Sequence, residues 1–182
     1  MVEERAVLLV PIGPVPGELV DHLAALLGMI FGLSSRVATA MAIPSAAHDR
    51  RRGQYVGGGI LAMLARLDIP NAERVLGVID ADCCAPGLNF ILGQASIGGR
   101  DAFIALPRLR QSFYGLPEDQ ALFRERALKE AVHELGHTYG LHHCPNLGCV
   151  MHFSNSLRDT DAKQAKWCSR CATQVRDLTG RT

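Results

Sequence analysis

Apolar and polar positions fall into blocks along the chain, and the first block, Ala6 to Ile12, is apolar throughout and closed by Gly13, Pro14 and Pro16. A run of that length ending in turn residues reads as a buried strand. Val20 to Phe31 has helical composition. Arg36 to Ile43 mixes Val, Thr, Ala, Met and Ile before Pro44, which predicts a second strand ending at the proline. Tyr55 to Leu67 is predicted helical, although Gly57, Gly58 and Gly59 each weaken a helix by about 1 kcal/mol relative to alanine. Arg74 to Asp80 is strand-like, and the stretch through Cys83, Cys84, Pro86 and Gly87 is rich in turn residues. Phe90 to Ile97 and Ala102 to Leu106 read as two more strands joined at Gly98 and Gly99. Pro117, Glu118 and Asp119 mark a helix start, since proline fits the first turn and acids favour the positive end of the dipole. That helix is expected to reach about Tyr139, and beyond Gly140 the periodicity fades.

These elements predict an α+β fold in which about five strands form a mixed sheet with helices packed on it. A length of 182 residues fits one domain spanning 1–182, with a sheet-and-helix part over 1–140 and a C-terminal part over 141–182. At 48% hydrophobic and 20% charged residues the chain can bury a core without staples. The longest uncharged apolar stretch, His22 to Ser35, has 14 residues, short of the roughly 20 that span a bilayer. No membrane partner is expected. The beginning, with Glu3, Glu4 and Arg5 before the first apolar run, lacks the basic and small-residue features of a signal peptide, which predicts a cytoplasmic protein.

A formal charge of +1 gives no field that would draw nucleic acid. Lys163, Lys166, Arg170 and Arg176 alternate with Asp159, Asp161 and Asp177, the pattern of a solvated mixed-charge face. What stands out is placement: five of the seven histidines lie between His133 and His152, and four of the six cysteines between Cys144 and Cys171.

Residues 133 to 143 read HELGHTYGLHH, so His133, Glu134, His137, Gly140 and His143 fit HExxHxxGxxH. On a helix, positions i and i+4 share a face about 6 Å apart along the axis, so His133 and His137 can meet one zinc ion. Glu134 projects about 100° away, which suits contact with metal-bound water rather than with the metal. Gly140 can end the helix in a left-handed conformation and turn His143 back as the third ligand, with His142 as a weaker competitor. Three nitrogens and an open position make a catalytic zinc site.

Cys144 and Cys149, with four residues between them, and Cys168 and Cys171, with two between them, flank an 18-residue loop. This spacing predicts a closed, structural four-thiolate zinc site, with two disulfides as the alternative. Cys83 and Cys84 are read as buried small hydrophobes.

The chain resembles the archaemetzincins, a branch of the metzincin clan of zinc metallopeptidases. The resemblance rests on KEAVHELGHTYGLHHC, CVM at 149 to 151, FSNSL at 153 to 157, CSRC at 168 to 171, GLNFILGQA at 87 to 95 and PRL at 107 to 109. It implies a catalytic zinc on His133, His137 and His143, Glu134 as general base and later acid, and a second zinc on the four cysteines. Met151 would be the apolar residue of a turn beneath the metal. The resemblance further implies a twisted sheet whose antiparallel edge strand, placed over Phe90, Ile91, Leu92, Gly93, Gln94 and Ala95, pairs with an extended peptide. Where some branches carry a tyrosine two residues after the turn methionine, this chain has Phe153.

The function expected is hydrolysis of a peptide substrate by a monomer with two zinc ions, using water activated by Glu134. The alternative is a non-catalytic, zinc-stabilised protein-binding module with a vestigial site, which has no need to keep Glu134.

Overall fold

The computed structural model describes residues 5–179, so Glu3 and Glu4 lie outside it. Its elements are β1 (Ala6–Ile12), α1 (Gly17–Phe31), β2 (Ser34–Val37), β3 (His48–Asp49), β4 (Gln54–Val56), α2 (Gly57–Ala65) and β5 (Ala72–Ile79), then β6 (Cys83–Cys84), β7 (Gly93–Ala95), β8 (Asp101–Ala105), α3 (Gln120–Thr138), α4 (Leu157–Ala162) and α5 (Ser169–Thr179). The main sheet has five strands in the order β2-β1-β5-β8-β7. Four run parallel, and β7 pairs antiparallel with β8 at one edge. The expected α+β class and mixed five-stranded sheet are what the chain forms.

All seven residues of β1 are buried. Val7 and Leu9, with Leu76, Val78, Ala102 and Ile104, face α1 and α3 through Leu23, Leu27, Ala127 and Leu135. Leu8, Val10 and Ile12, with Val75, Phe103 and Ala105, face Ile60 and Leu64 of α2. A strand covered on both faces has no polar side to show, which is why its sequence is apolar without alternation.

The boundaries depart from the sequence expectations where a local partner decides them. The second strand ends at Val37 instead of reaching Ile43. Leu9 and Pro11 point their carbonyls toward this strand, accepting from Ala38 and Met41 at 2.8 Å. Pro11 therefore lacks its N–H on the side where the ladder would continue. Tyr55 and Val56 belong to β4 and not to a helix, and β4 joins β3 and β6 in a small second sheet. Strands of two or three residues carry no readable period.

The predicted strand Phe90 to Ile97 shrinks to Gly93–Ala95, because Ile91 is drawn into a bridge with Cys83 of the small sheet. Cys83 and Cys84 are buried there, and burial pushes the Cys83 thiol up to about 12. Helix α3 begins after Asp119, whose carboxylate accepts from the Leu122 N–H at 2.9 Å, so Pro117 precedes the helix instead of starting it. Helices α4 and α5 are additions to the sequence reading. The first has only six residues, and most of the second is exposed.

Candidate active site

Helix α3 carries His133, Glu134 and His137 on its last two turns, all buried. After its cap at Tyr139 the chain turns at Gly140, whose φ is +88°, a left-handed value that side chains resist. The Leu141 N–H closes back onto the Gly136 carbonyl at 3.2 Å. This reversal brings His143 to the helix, and the ring nitrogens of His133, His137 and His143 lie within 4.8 Å of one another. His142 is not in that group, although it lines the same cleft.

The hydrogen bonds decide which nitrogens are free. His133 Nδ1 donates to the Val150 carbonyl and His137 Nδ1 to the Leu141 carbonyl, each at 2.7 Å. A carbonyl only accepts, so each Nδ1 carries the proton and each Nε2 presents a lone pair. Those two Nε2 atoms face one another at 3.1 Å, where bare lone pairs repel. A zinc ion with nitrogen at about 2.05 Å makes a tetrahedron whose edge is roughly 3.3 Å, so this donor set fits one. Burial holds all three histidines below their ordinary pKa, the neutral form that a metal requires.

Glu134 is also buried. Burial, and then the charge of Glu130, push its carboxyl well above the usual range against the opposing pull of Lys163. The edge strand presses directly on it: a Cβ at Gly93 would stand 2.6 Å from Glu134 Cγ and 2.7 Å from the Phe103 carbonyl. Only glycine allows β7 and the Glu134 side chain to lie this close. The Gly93→Ala variant is expected to displace the carboxylate, with a loss in kcat/KM of roughly a hundredfold. Zinc analysis and steady-state kinetics check this, and unchanged kinetics would mean that the contact does not hold Glu134.

Met151 is fully buried, and a Cβ at Gly136 would stand 2.5 Å from its sulfur, so the methionine packs against the helix between the two histidine positions. The His152 N–H returns to the Cys149 carbonyl at 2.9 Å, closing a tight turn around Met151. The cleft beside these groups measures about 570 Å³, and its walls include the three histidines, Glu134, Phe153 and every residue from Phe90 to Ala95. Phe153 lies on His143, with ring centroids 4.9 Å apart. Tyr139 is core and distant in role, its hydroxyl donating to Glu73 at 2.7 Å.

Cys144, Cys149, Cys168 and Cys171 gather their sulfurs within 4.8 Å. Cys144 Sγ and Cys168 Sγ are 3.8 Å apart, far beyond a disulfide bond and equal to the edge of roughly 3.8 Å in a tetrahedral four-thiolate zinc site. The Cys171 N–H draws the Cys168 thiol down to about 7, toward the thiolate that a metal needs. No disulfide joins any of the six cysteines, and the four gathered sulfurs suit a metal better than two disulfides.

One pair beside the site lies outside the sequence expectations. Lys163, read there as part of a solvated face, is completely buried, and its Nζ meets Glu130 Oε1 at 2.9 Å. Thr160 donates to the same oxygen at 3.2 Å, and Nζ reaches the His152 carbonyl at 3.5 Å. The pair ties the chain after the methionine turn to α3. A buried charge left alone is costly, so Lys163→Met is expected to destabilise the protein by about 3–5 kcal/mol. The double variant Glu130→Leu/Lys163→Met should recover most of that in denaturant unfolding. A cost below about 1 kcal/mol for the single variant would show that Glu130 finds solvent.

A model of Peptidase family M54 matches residues 27–177. The chain belongs to peptidase family M54. Its relatives include an archaemetzincin of Pyrococcus abyssi, 45% identical over 176 residues and covering 93% of each chain. Another, from Methanocaldococcus jannaschii, is 40% identical over 177 residues, 97% of this chain and 96% of the relative. The crystal structure of the Methanopyrus kandleri archaemetzincin matches with a TM-score of 0.87 at 36% identity, over 99% of this chain and 98% of that one. That of the Archaeoglobus fulgidus archaemetzincin, complexed with malonate, gives 0.82 at 37% identity, over 93% and 99%. As an M54 member the chain is a zinc metallopeptidase, a hydrolase acting on peptides, and its sheet with the four-cysteine cluster matches the archaemetzincin fold.

Proposed function

We propose that this peptidase cleaves extended peptides with one zinc ion held by His133, His137 and His143, and that Glu134 is the general base. A second zinc is assigned to Cys144, Cys149, Cys168 and Cys171, in a monomeric, single-domain, cytoplasmic enzyme. The observation that carries the reading is the pair of Nε2 lone pairs 3.1 Å apart, next to a buried carboxylate, at the wall of one open cleft. Zinc at the histidines supplies a Lewis acid that acidifies water and polarises a carbonyl.

The residues of the chain do the rest. Glu134 takes a proton from the attacking water and returns it to the leaving amine, a shuttle that needs a carboxyl near neutrality in affinity. The carbonyls of Val150 and Leu141 keep His133 and His137 in one tautomer and orientation. The unpaired side of β7, at the sheet edge, offers backbone groups to a substrate strand. Phe153 supports the His143 ring and has no hydroxyl to donate, so no side-chain oxyanion donor is assigned there. A vestigial binding module gives no reason for the glycine that makes room for Glu134.

The test is mass-spectrometric cleavage mapping on a panel of unstructured peptides, with zinc counted in parallel. Cleavage that depends on Glu134 at two zinc ions per chain supports the assignment. A fully zinc-loaded protein with no Glu134-dependent cleavage overturns it.

A further inference from the structure

We propose that a second cavity opening beside the cleft is a subsite for an acidic side chain of the bound peptide. This rests on the peptidase reading of the cleft and adds to it a substrate class. The cavity, about 540 Å³, shares Phe90 and Asn155 with the cleft, so a peptide running along the Phe90–Ala95 edge passes into it. Three arginines, Arg108, Arg126 and Arg158, line it, and no Asp or Glu does among the described residues.

The three arginines are not equivalent. Arg108 forks onto Asp82 at 2.6 and 2.8 Å and lies over the Phe90 ring at 4.5 Å. Arg126 forks onto Asp161 at 2.7 Å through two nitrogens and gives a third to the Leu109 carbonyl at 3.0 Å. These two are fixed, and their counter-ions are not part of the cavity wall. Arg158 is exposed and makes no ion pair or hydrogen bond among the described residues. It is the free cation at the wall, beside two rigid ones. A carboxylate entering there meets a planar fork that matches it. The one carboxylate close behind the wall, Asp159, is held by the Asn155 N–H at 3.0 Å and the Ser156 hydroxyl at 2.9 Å.

Gly93, beside Glu134, and Phe90 are three residues apart, at most roughly 10 Å, which places the acidic residue within about four positions of the cleaved bond. Because Phe90 lies toward one end of the edge segment, the preference belongs to one side of that bond only.

The test uses zinc-loaded Glu134→Gln protein, which binds without turnover, and labelled peptides differing by one Glu or Gln, read by fluorescence anisotropy. The Glu peptide should bind roughly fivefold more tightly at low salt, the upper end of the scale for one exposed charge pair. Adding Arg158→Ala should remove the difference, and Arg158→Glu should favour a Lys peptide instead. Cleavage products of the wild type should show Glu or Asp on one side of the bond, within the stated positions. Equal Glu and Gln affinities, or a difference untouched by Arg158→Ala, overturn the proposal. A wild type that cleaves no peptide would overturn the function proposed above, while the Arg158-dependent binding difference is still read.

Discussion

Glu134→Gln is expected to lower kcat/KM by about two to four orders of magnitude, the range of a positioned general acid and base. The replacement keeps the size and most of the contacts of the side chain but cannot accept a proton. The three imidazoles are oriented by backbone carbonyls and not by Glu134, so zinc content should stay at the wild-type level. Stability should change little or rise, since a neutral amide replaces a carboxyl that burial disfavours in its charged form. Burial raises the pKa of this group, so the charged form costs stability as pH rises through its unfolded value. In the zinc-free protein, where no metal ion offsets that burial, the variant should therefore gain most over wild type above roughly pH 4.3. Metal analysis, kinetics and denaturant unfolding across pH check the three statements together. A variant that arrives without the histidine-bound zinc would show that Glu134 helps to hold metal.

The residues of this site were legible because their spacing follows helix geometry. His133 and His137 share a face by their interval of four, and Gly140 had to be the point of reversal for His143 to return, as its φ of +88° bears out. The four cysteines were legible as two short-range pairs. What stayed hidden depends on contacts between segments distant in sequence. Gly93 makes room for a side chain 41 positions further on, and nothing in GLNFILGQA announces it. Lys163 reads as solvated because its neighbours are charged, and only its tertiary partner Glu130 makes its burial tolerable. The short second sheet and α4 fall below the length at which a period can be seen. Arg158 forms a wall with Arg108 and Arg126 only after the chain following the methionine turn has crossed back over α3.

The two metal groups should part company under a chelator, and the difference follows from their ligands. Three neutral imidazoles carry no compensating charge, and His143 is exposed at the cleft, so an ion there is within reach of a competing ligand. Four sulfurs, with Cys144, Cys149 and Cys171 buried, enclose theirs. A moderate chelator should remove one zinc per chain first, with activity falling in step, the fold retained, and activity restored when zinc is added back. Cys168→Ser should do the reverse: it weakens the closed site, and structural zinc contributes about 10–16 kcal/mol of binding free energy to folding in zinc-finger peptides. Hydrogen-exchange protection should then collapse first in α5 and in the segment around Met151, because Cys168 and Cys171 anchor the helix while Cys144 and Cys149 anchor the turn. His133 depends on that turn through the Val150 carbonyl, so the Cys168→Ser protein should also bind its remaining zinc more weakly. If both ions leave together in the wild type, or the first to leave comes from the cysteines, the division into an open histidine site and a closed cysteine site is wrong.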